Sequence, residues 1–373
     1  MKLLLLTHCF YPSQKRGGPT VSMTNMAKLA AEFMDVSVAT IGYDSDGTPY
    51  QGIHEGKNSL FGCDVYYLQN NKMADFAQII QEIAPDVMYV SSLFSWQYCV
   101  PALRIAKKKK IRTILAPRGE LMPSALRIKH TRKALYLNSL KCMGLFRNIE
   151  IHATSNDEYN EVKKFFPHAK ICNVQNLPTF SPLVSQYVEK SSGQLEIAFV
   201  GRIHPIKNLD VALNVLKNLR GNVVLHVYGP REDPEYYRRC KEIADSLPSH
   251  IQVRFEGNAP HDDIPQILSR CHILLSPTQS ENFGQAIVET LMQHRPVVIS
   301  ANTPWRELEA NRAGYDIALD RTEAFAEAVN AFVDMNDAEF REWCDGAGAY
   351  ISERLKLAEL AAQYRQLLAG DKP

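Results

Sequence analysis

Ile273-Leu274-Leu275-Ser276-Pro277-Thr278-Gln279-Ser280-Glu281-Asn282-Phe283-Gly284-Gln285-Ala286-Ile287-Val288-Glu289 runs from a short apolar stretch through a polar loop into a largely apolar segment at helical spacing. Residues 273–275 read as a buried strand, and a helix opens near Phe283. Strand, loop and helix in that order form the repeating unit of an α/β sheet. The same alternation extends on both sides. Strands are expected at 196–200, 223–228, 253–256 and 297–300, and helices at 209–219, 235–247, 264–269 and 284–293. The first half shows its own series, with strands at 2–7, 36–40, 65–68, 87–91, 113–116 and 150–153. Helices at 21–33 and 74–83 lie among them, and Pro85 stops the second.

The alternation thus occurs twice. Residues 176–194, with two prolines, several serines and little periodicity, are the expected linker. The predicted organisation is an N-terminal Rossmann-like domain over 1–180 and a C-terminal one over 195–351. A last helix over 352–368, within a closing segment 352–373, crosses back to the first domain. Two facing parallel sheets would leave a cleft between their strands' carboxyl ends, where α/β proteins bind ligands.

Composition narrows the function classes. A 373-residue chain with 45% hydrophobic and 22% charged residues is that of a soluble globular protein of two domains. No apolar run approaches the ~18 residues of a membrane span. Lys2 and the four leucines after it resemble the start of a leader. The run meets Thr7 and His8 too soon and no small-residue cleavage site follows, so a buried first strand is expected. The eight cysteines are scattered, without a C-x-x-C pair or zinc spacing, which predicts reduced thiols in a cytoplasm and no metal site. Charge is uneven, with a net +8 over 1–180 and −7 beyond. A basic first half suits an anionic acceptor or a membrane surface, and solvated helix faces are the alternative.

Three loops carry candidate chemistry. The helix start after Glu281 presents unpaired N–H groups and a partial positive charge, a place for a diphosphate. Glu281 and Glu289, eight residues apart, would lie roughly 12 Å apart along a helix and could grip hydroxyls at both ends of an elongated ligand. A loop carboxylate and a solvated helix face are the alternative. Glu289, however, stands among Ile287, Val288, Leu291 and Met292, so it is expected to be buried and to need a partner. The second loop is Val200-Gly201-Arg202-Ile203-His204-Pro205-Ile206-Lys207-Asn208. It places two cations after a strand and an expected N-cap, Asn208, before the next helix. Arg202 and Lys207 could hold phosphate oxygens and stabilise charge on a leaving diphosphate. In the third, Phe10-Tyr11-Pro12-Ser13-Gln14-Lys15-Arg16-Gly17-Gly18-Pro19, the two glycines allow close approach of backbone to ligand. An ordinary βα turn would look the same.

Together these loops resemble the retaining nucleotide-sugar glycosyltransferases of family 4 (group 1), which have the GT-B fold. The resemblance spans nearly the whole chain and is strongest over 195–310, where G-R-x-x-x-x-K-N and E-N-F-G-x-x-x-x-E stand in order. It implies that Arg202 and Lys207 bind the donor diphosphate and that Glu281 holds hydroxyls of the transferred sugar. It further implies that Gly201, Asn282, Phe283 and Gly284 line the donor, Glu289 holds the ribose, and Gly17 and Gly18 close over the phosphates. The reaction it implies is same-face substitution in which the leaving phosphate helps deprotonate the acceptor. Many relatives place a histidine where this chain has Arg118, in Pro117-Arg118-Gly119. Arg118 is therefore a candidate near donor sugar or acceptor, although an arginine cannot act as a base, and a structural anchor is the alternative.

The expected activity is transfer of a hexose-type sugar from a UDP- or GDP-sugar, UDP ahead of GDP, with no cofactor or metal. The expected acceptor is a glycan or lipid-linked glycan of bacterial surface polysaccharide. A cytoplasmic protein in peripheral contact with the inner face of the membrane is expected. An epimerase or hydrolase on the same fold and a non-catalytic nucleotide-sugar binder are the alternatives. Asp44-Ser45-Asp46 matches a metal-holding D-x-D of another fold but follows a strand in a glycine-containing loop. Gly346-Ala347-Gly348 lies in a helical region and does not follow a strand, which counts against a nicotinamide dehydrogenase. The runs Lys107, Lys108, Lys109, Lys110 and Arg127, Lys129, His130, Arg132, Lys133 lack the aromatic interleaving of nucleic-acid binders.

Overall fold

A computed structural model describes residues 1–13, 15–127, 130–179 and 187–370. Gln14, Lys129 and part of the expected linker (180–186) lie outside the described residues. The chain divides into two units: Met1–Leu177 with Leu357–Pro373, and Pro178–Lys356.

The first unit is built on strands β1 (Lys2–Leu6), β2 (Asp35–Ile41), β3 (Gly56–Leu60), β4 (Cys63–Leu68), β5 (Val87–Ser91), β6 (Arg112–Ala116), β7 (Ile149–Ala153) and β8 (Lys170–Asn173). Their order is β3-β4-β2-β1-β5-β6-β7-β8. All pairings are parallel except β3 with β4. The leucine run is the centre of this sheet. Leu3, Leu4, Leu5 and Leu6 are fully buried, which is why the strand reads as a continuous apolar run. Leu4 and Leu6 pack with Phe76 and Ile80 on one face. Leu3 and Leu5 pack with Met23, Met26 and Tyr364 on the other.

Tyr364 belongs to the final helix, Leu357–Ala369, which buries Leu360, Leu367 and Leu368 in that same core. The Tyr364 hydroxyl donates to the Gln175 carbonyl at 2.9 Å. Arg112 donates to the carbonyls of Leu367 and Leu368, both at 2.8 Å, satisfying the open end of the helix. The single helix expected over 352–368 is in fact two. Asp337–Leu355 ends at Lys356, whose left-handed φ of 43° breaks the chain direction before Leu357. No glycine or proline marks the break, so the sequence reads through it.

The second unit has strands β9 (Gln194–Val200), β10 (Asn222–Tyr228), β11 (Ile251–Gly257), β12 (Ile273–Ser276), β13 (Val297–Ser300) and β14 (Gly314–Ile317), all parallel. The order β11-β10-β9-β12-β13-β14 is, counted within the unit, 3-2-1-4-5-6. The direction of strand addition reverses between β9 and β12, the switch point outside whose carboxyl ends α/β folds bind ligands. The loops carrying Arg202, Lys207 and Glu281 follow these two strands.

Candidate donor site

The loops after β9 and β12 are stitched together. Asn208 stands at the N-cap expected from sequence, in left-handed conformation at φ 53°, but its side chain does not cap the following helix. Its amide instead donates to the Pro277 carbonyl at 2.9 Å in a buried bond. Gln279 returns the contact, its backbone N–H to Ile206 O at 2.8 Å and its side chain to Pro205 O at 3.1 Å. The Thr278 hydroxyl donates to Ile206 O at 3.1 Å. Neither loop can move without the other, so residues 74 apart in sequence hold a fixed relation.

That relation brings Lys207 and Glu281 into direct contact. The Lys207 ammonium pairs with the Glu281 carboxylate, each side chain 19% exposed. The lysine stem runs past Gly201, whose missing Cβ would lie 3.7 Å from three of its carbons. The Glu281 N–H donates to Asn302 O at 3.1 Å, fixing the carboxylate's base. Arg202 stands apart from this pair. Its Nη1 donates to both oxygens of Glu232, at 2.9 and 3.2 Å, on the loop after β10.

The helix after Glu281 begins at Gln285, two residues later than expected. Residues 281–284 are therefore not helical, and Glu289 sits about one turn into the helix rather than two. The 12 Å rise expected between the carboxylates does not apply. Gly284 makes the turn at φ 76°, and a Cβ there would meet Ile287 Cδ1 at 2.8 Å. Phe283 is buried edge-on against Trp305, whose indole N–H donates to Phe283 O at 2.6 Å. Asn282 lies half-buried beside it.

Glu289 is 4% exposed, and its partners were not legible in the sequence. The Thr179 hydroxyl donates to its carboxyl at 3.0 Å, His261 Nε2 lies 3.2 Å from the same oxygen, and Gln285 reaches it at 3.4 Å. Thr179 and His261 also bond each other at 2.7 Å. Burial pushes the Glu289 carboxyl up to about 8, against the hydrogen bonds from Thr179 and Gln285. His261 and Thr179 come from the loop after β11 and the start of the unit, stretches without a motif.

The remaining candidates lie in the first unit. Gly17 caps the helix Gly18–Ala31 at φ 63°, with nothing within 4 Å of where a Cβ would stand, and Gly18 is its first residue. Arg118 follows β6 and donates to Asn176 Oδ1 at 2.8 Å, with the Tyr89 hydroxyl 3.1 Å from its Nη2. Asp44 of the D-x-D accepts from the Ser13 hydroxyl and the Lys15 and Ser45 N–H groups, while Asp46 pairs with Lys15. Both carboxylates brace the loop after β1. In the basic runs, Lys107 donates to Met143 O at 2.8 Å and Lys133 to Ala125 O at 2.7 Å, so part of that charge ties helices together.

The chain is similar to known proteins in sequence and in fold. Residues 184–348 match the model of the family of glycosyl transferases group 1. An uncharacterised glycosyltransferase of Methanocaldococcus jannaschii is 24% identical over 301 residues, 79% of this chain and 78% of its own. D-inositol 3-phosphate glycosyltransferase of Mycobacteroides abscessus is 29% identical over 149 residues, 39% of this chain and 33% of its own. Among solved structures, sucrose-phosphate synthase from Thermosynechococcus elongatus superposes with a TM-score of 0.76 at 14% identity, over 98% of both chains. Anabaena HepE, crystallised with UDP-glucose, superposes at 0.74 and 16% identity over 99% of both. The second unit is thus similar to the group 1 glycosyltransferase domain over 184–348, on a chain that carries the GT-B fold over its length.

Proposed function

We propose that the protein is a retaining glycosyltransferase that moves a hexose-type sugar from a UDP- or GDP-sugar, UDP ahead of GDP, to a glycan or lipid-linked glycan acceptor. The observation that carries the reading is the stitched loop pair at the reversal between β9 and β12, which sets Lys207 against Glu281 beside the opening of the helix Gln285–Met292. In the free protein each neutralises the other. A bound donor would offer Lys207 a diphosphate and Glu281 the sugar hydroxyls, exchanging one ion pair for charge-assisted contacts to both partners. Arg202 and the helix opening add positive potential where the leaving phosphate gains charge. Gly201, Asn282, Phe283 and Gly284 line the donor, Glu289 holds the ribose, and Gly17 and Gly18 contact the phosphates. The leaving phosphate takes the acceptor proton, so neither a protein nucleophile nor a metal is required.

The support for UDP ahead of GDP is the likeness to HepE, which was crystallised with UDP-glucose. A glycosyltransferase described as involved in lipopolysaccharide biosynthesis superposes at a TM-score of 0.69, in keeping with a role in bacterial surface polysaccharide. We place the protein in the cytoplasm at the inner face of the membrane. Its support is the basic first half and Leu135, 73% exposed on the helix His130–Cys142. No described helix is long and apolar enough to cross a membrane. A thermal-shift screen tests the donor: UDP, or GDP, and its sugars at millimolar concentration should raise the melting midpoint, since a ligand of the folded state alone stabilises it. No shift with any nucleotide sugar contradicts the reading. Donor turnover without acceptor would point instead to an epimerase or hydrolase.

A further inference from the structure

A cavity of about 310 Å³ lies at the edge of the first sheet, between the antiparallel pair β3–β4 and the helix Met73–Ile83. Its volume is at the lower end of the range for small-molecule sites. Ile79, buried, and Leu68 and Tyr66, half-buried, give it an apolar lining. Around them stand Glu55, Gln69, Asn70 and Asp75. Among the described residues, none hydrogen-bonds to the side chains of these four or to the Tyr66 hydroxyl. Two carboxylates, two carboxamides and a phenol therefore line one hollow with their hydrogen-bonding capacity unused.

The segments that carry these groups are nonetheless tied down. Asn58 donates to the His54 and Gly56 carbonyls at 2.7 and 3.1 Å and accepts from the His54 N–H at 3.3 Å, which fixes the turn holding Glu55. Gly42 makes room for the Gln69 amide, since a Cβ there would lie 3.0 Å from its nitrogen. Asn71, next to Asn70, bonds His8 at 3.0 Å. The charge of the lining narrows the ligand. No lysine or arginine lines the cavity. Lys57, opposite Tyr66 in the β3–β4 register, pairs with Asp64 at 2.8 Å. Carboxylates only accept hydrogen bonds when ionised, so the ligand must offer several donors. A phosphate or carboxylate would meet like charge. A pyranose ring meets each demand, with an apolar C–H face for Tyr66, Leu68 and Ile79 and hydroxyls at its edge.

We propose that this cavity binds one sugar ring, neutral or amino-bearing. Glu55 and Asp75 accept from its hydroxyl or ammonium groups, and Gln69 and Asn70 donate to and accept from the hydroxyls between them. The site lies within the first unit and does not depend on the transferase reading. Where that reading holds, the ring is a unit of the acceptor glycan.

The test is saturation-transfer NMR on the full chain with methyl α-glucoside, glucosamine and glucuronate at millimolar concentration, UDP being present throughout. Ring protons of the first two should receive saturation. Those of glucuronate should not, because its carboxylate meets Glu55 and Asp75. Titration should show the dissociation constant raised roughly tenfold or more in Asp75→Ala, the loss expected for a charged hydrogen bond, and less in Gln69→Ala. Melting curves establish that each variant folds, and the shift produced by UDP should be the same in both as in wild type. Binding of neither methyl glucoside nor glucosamine overturns the proposal, as does glucuronate binding as well as they do. Equal affinity in wild type, Asp75→Ala and Gln69→Ala also overturns it, whatever UDP does. Sugar binding that depends on Asp75 in a chain that does not respond to nucleotides upholds the site and counts against the transferase reading alone.

Discussion

Lys207 and Glu281 exemplify what one residue pair can decide. Removing one member leaves the other charged, partly buried and unpaired, so part of any loss is structural. Glu281→Gln and Lys207→Met keep volume and separate the effects. Each is expected to lower kcat/KM by about 100-fold or more, the scale of losing one fixed transition-state contact, with a folded circular dichroism spectrum. A loss below tenfold in both counts against the site. Glu289 makes a prediction through its proton. Its native pKa, about 8, exceeds the ordinary 4.5, so the folded state retains a proton that the unfolded chain releases. Stability from this group is present below about 4.5 and is lost as pH rises toward 8. Glu289→Gln should remove that slope, and its melting midpoint relative to wild type should climb with pH across this window. Parallel pH profiles would contradict the assignment. The sequence showed that Glu289 needs a partner, because its helical neighbours are apolar. It could not show which, because Thr179 and His261 come from separate segments brought together by the sheet.

At the scale of elements, legibility followed burial. Central strands such as β1, β5 and β13 announce themselves by apolar runs because helices cover both faces. β3 (Gly56–Leu60), β8 (Lys170–Asn173) and β14 (Gly314–Ile317) lie at sheet edges, half-exposed and polar or short, and were not anticipated. The loop before the helix Gln285–Met292 depends on Gly284. Gly284→Ala should cost about 1–2 kcal/mol from its left-handed backbone alone, more where the methyl meets Ile287, read as a lower denaturation midpoint. Across β9, β10 and β11, His226 bridges Glu196 and Glu256, 2.8 Å from each. The bond to Glu196, then that to Glu256, raises its pKa despite burial. That stability is full below the ordinary histidine value and fades as pH rises through the raised one. His226→Gln should flatten this part of the stability profile above neutrality. An unchanged profile would show that the bridge contributes nothing.

For the whole molecule, the double α/β alternation was readable because each sheet repeats its pattern of strand and helix. The end of the chain was less so, since nothing local distinguishes Lys356 from its helical neighbours. Yet the helix Leu357–Ala369 buries Leu360, Tyr364, Leu367 and Leu368 in the first unit. Four such side chains contribute about 6–12 kcal/mol, comparable to the stability of a whole domain. Ending the chain at Lys356 should therefore leave the second unit folded and the first open to hydrogen exchange. Protection of β1 in the shortened chain would contradict this. The central claim concerns where a nucleotide sugar lies, and a crystal structure of the full chain with the stabilising nucleotide measures it directly. The account predicts the diphosphate on Lys207 at the opening of the helix Gln285–Met292 and the ribose hydroxyls on Glu289. A nucleotide bound elsewhere, with the Lys207–Glu281 pair intact, would contradict it.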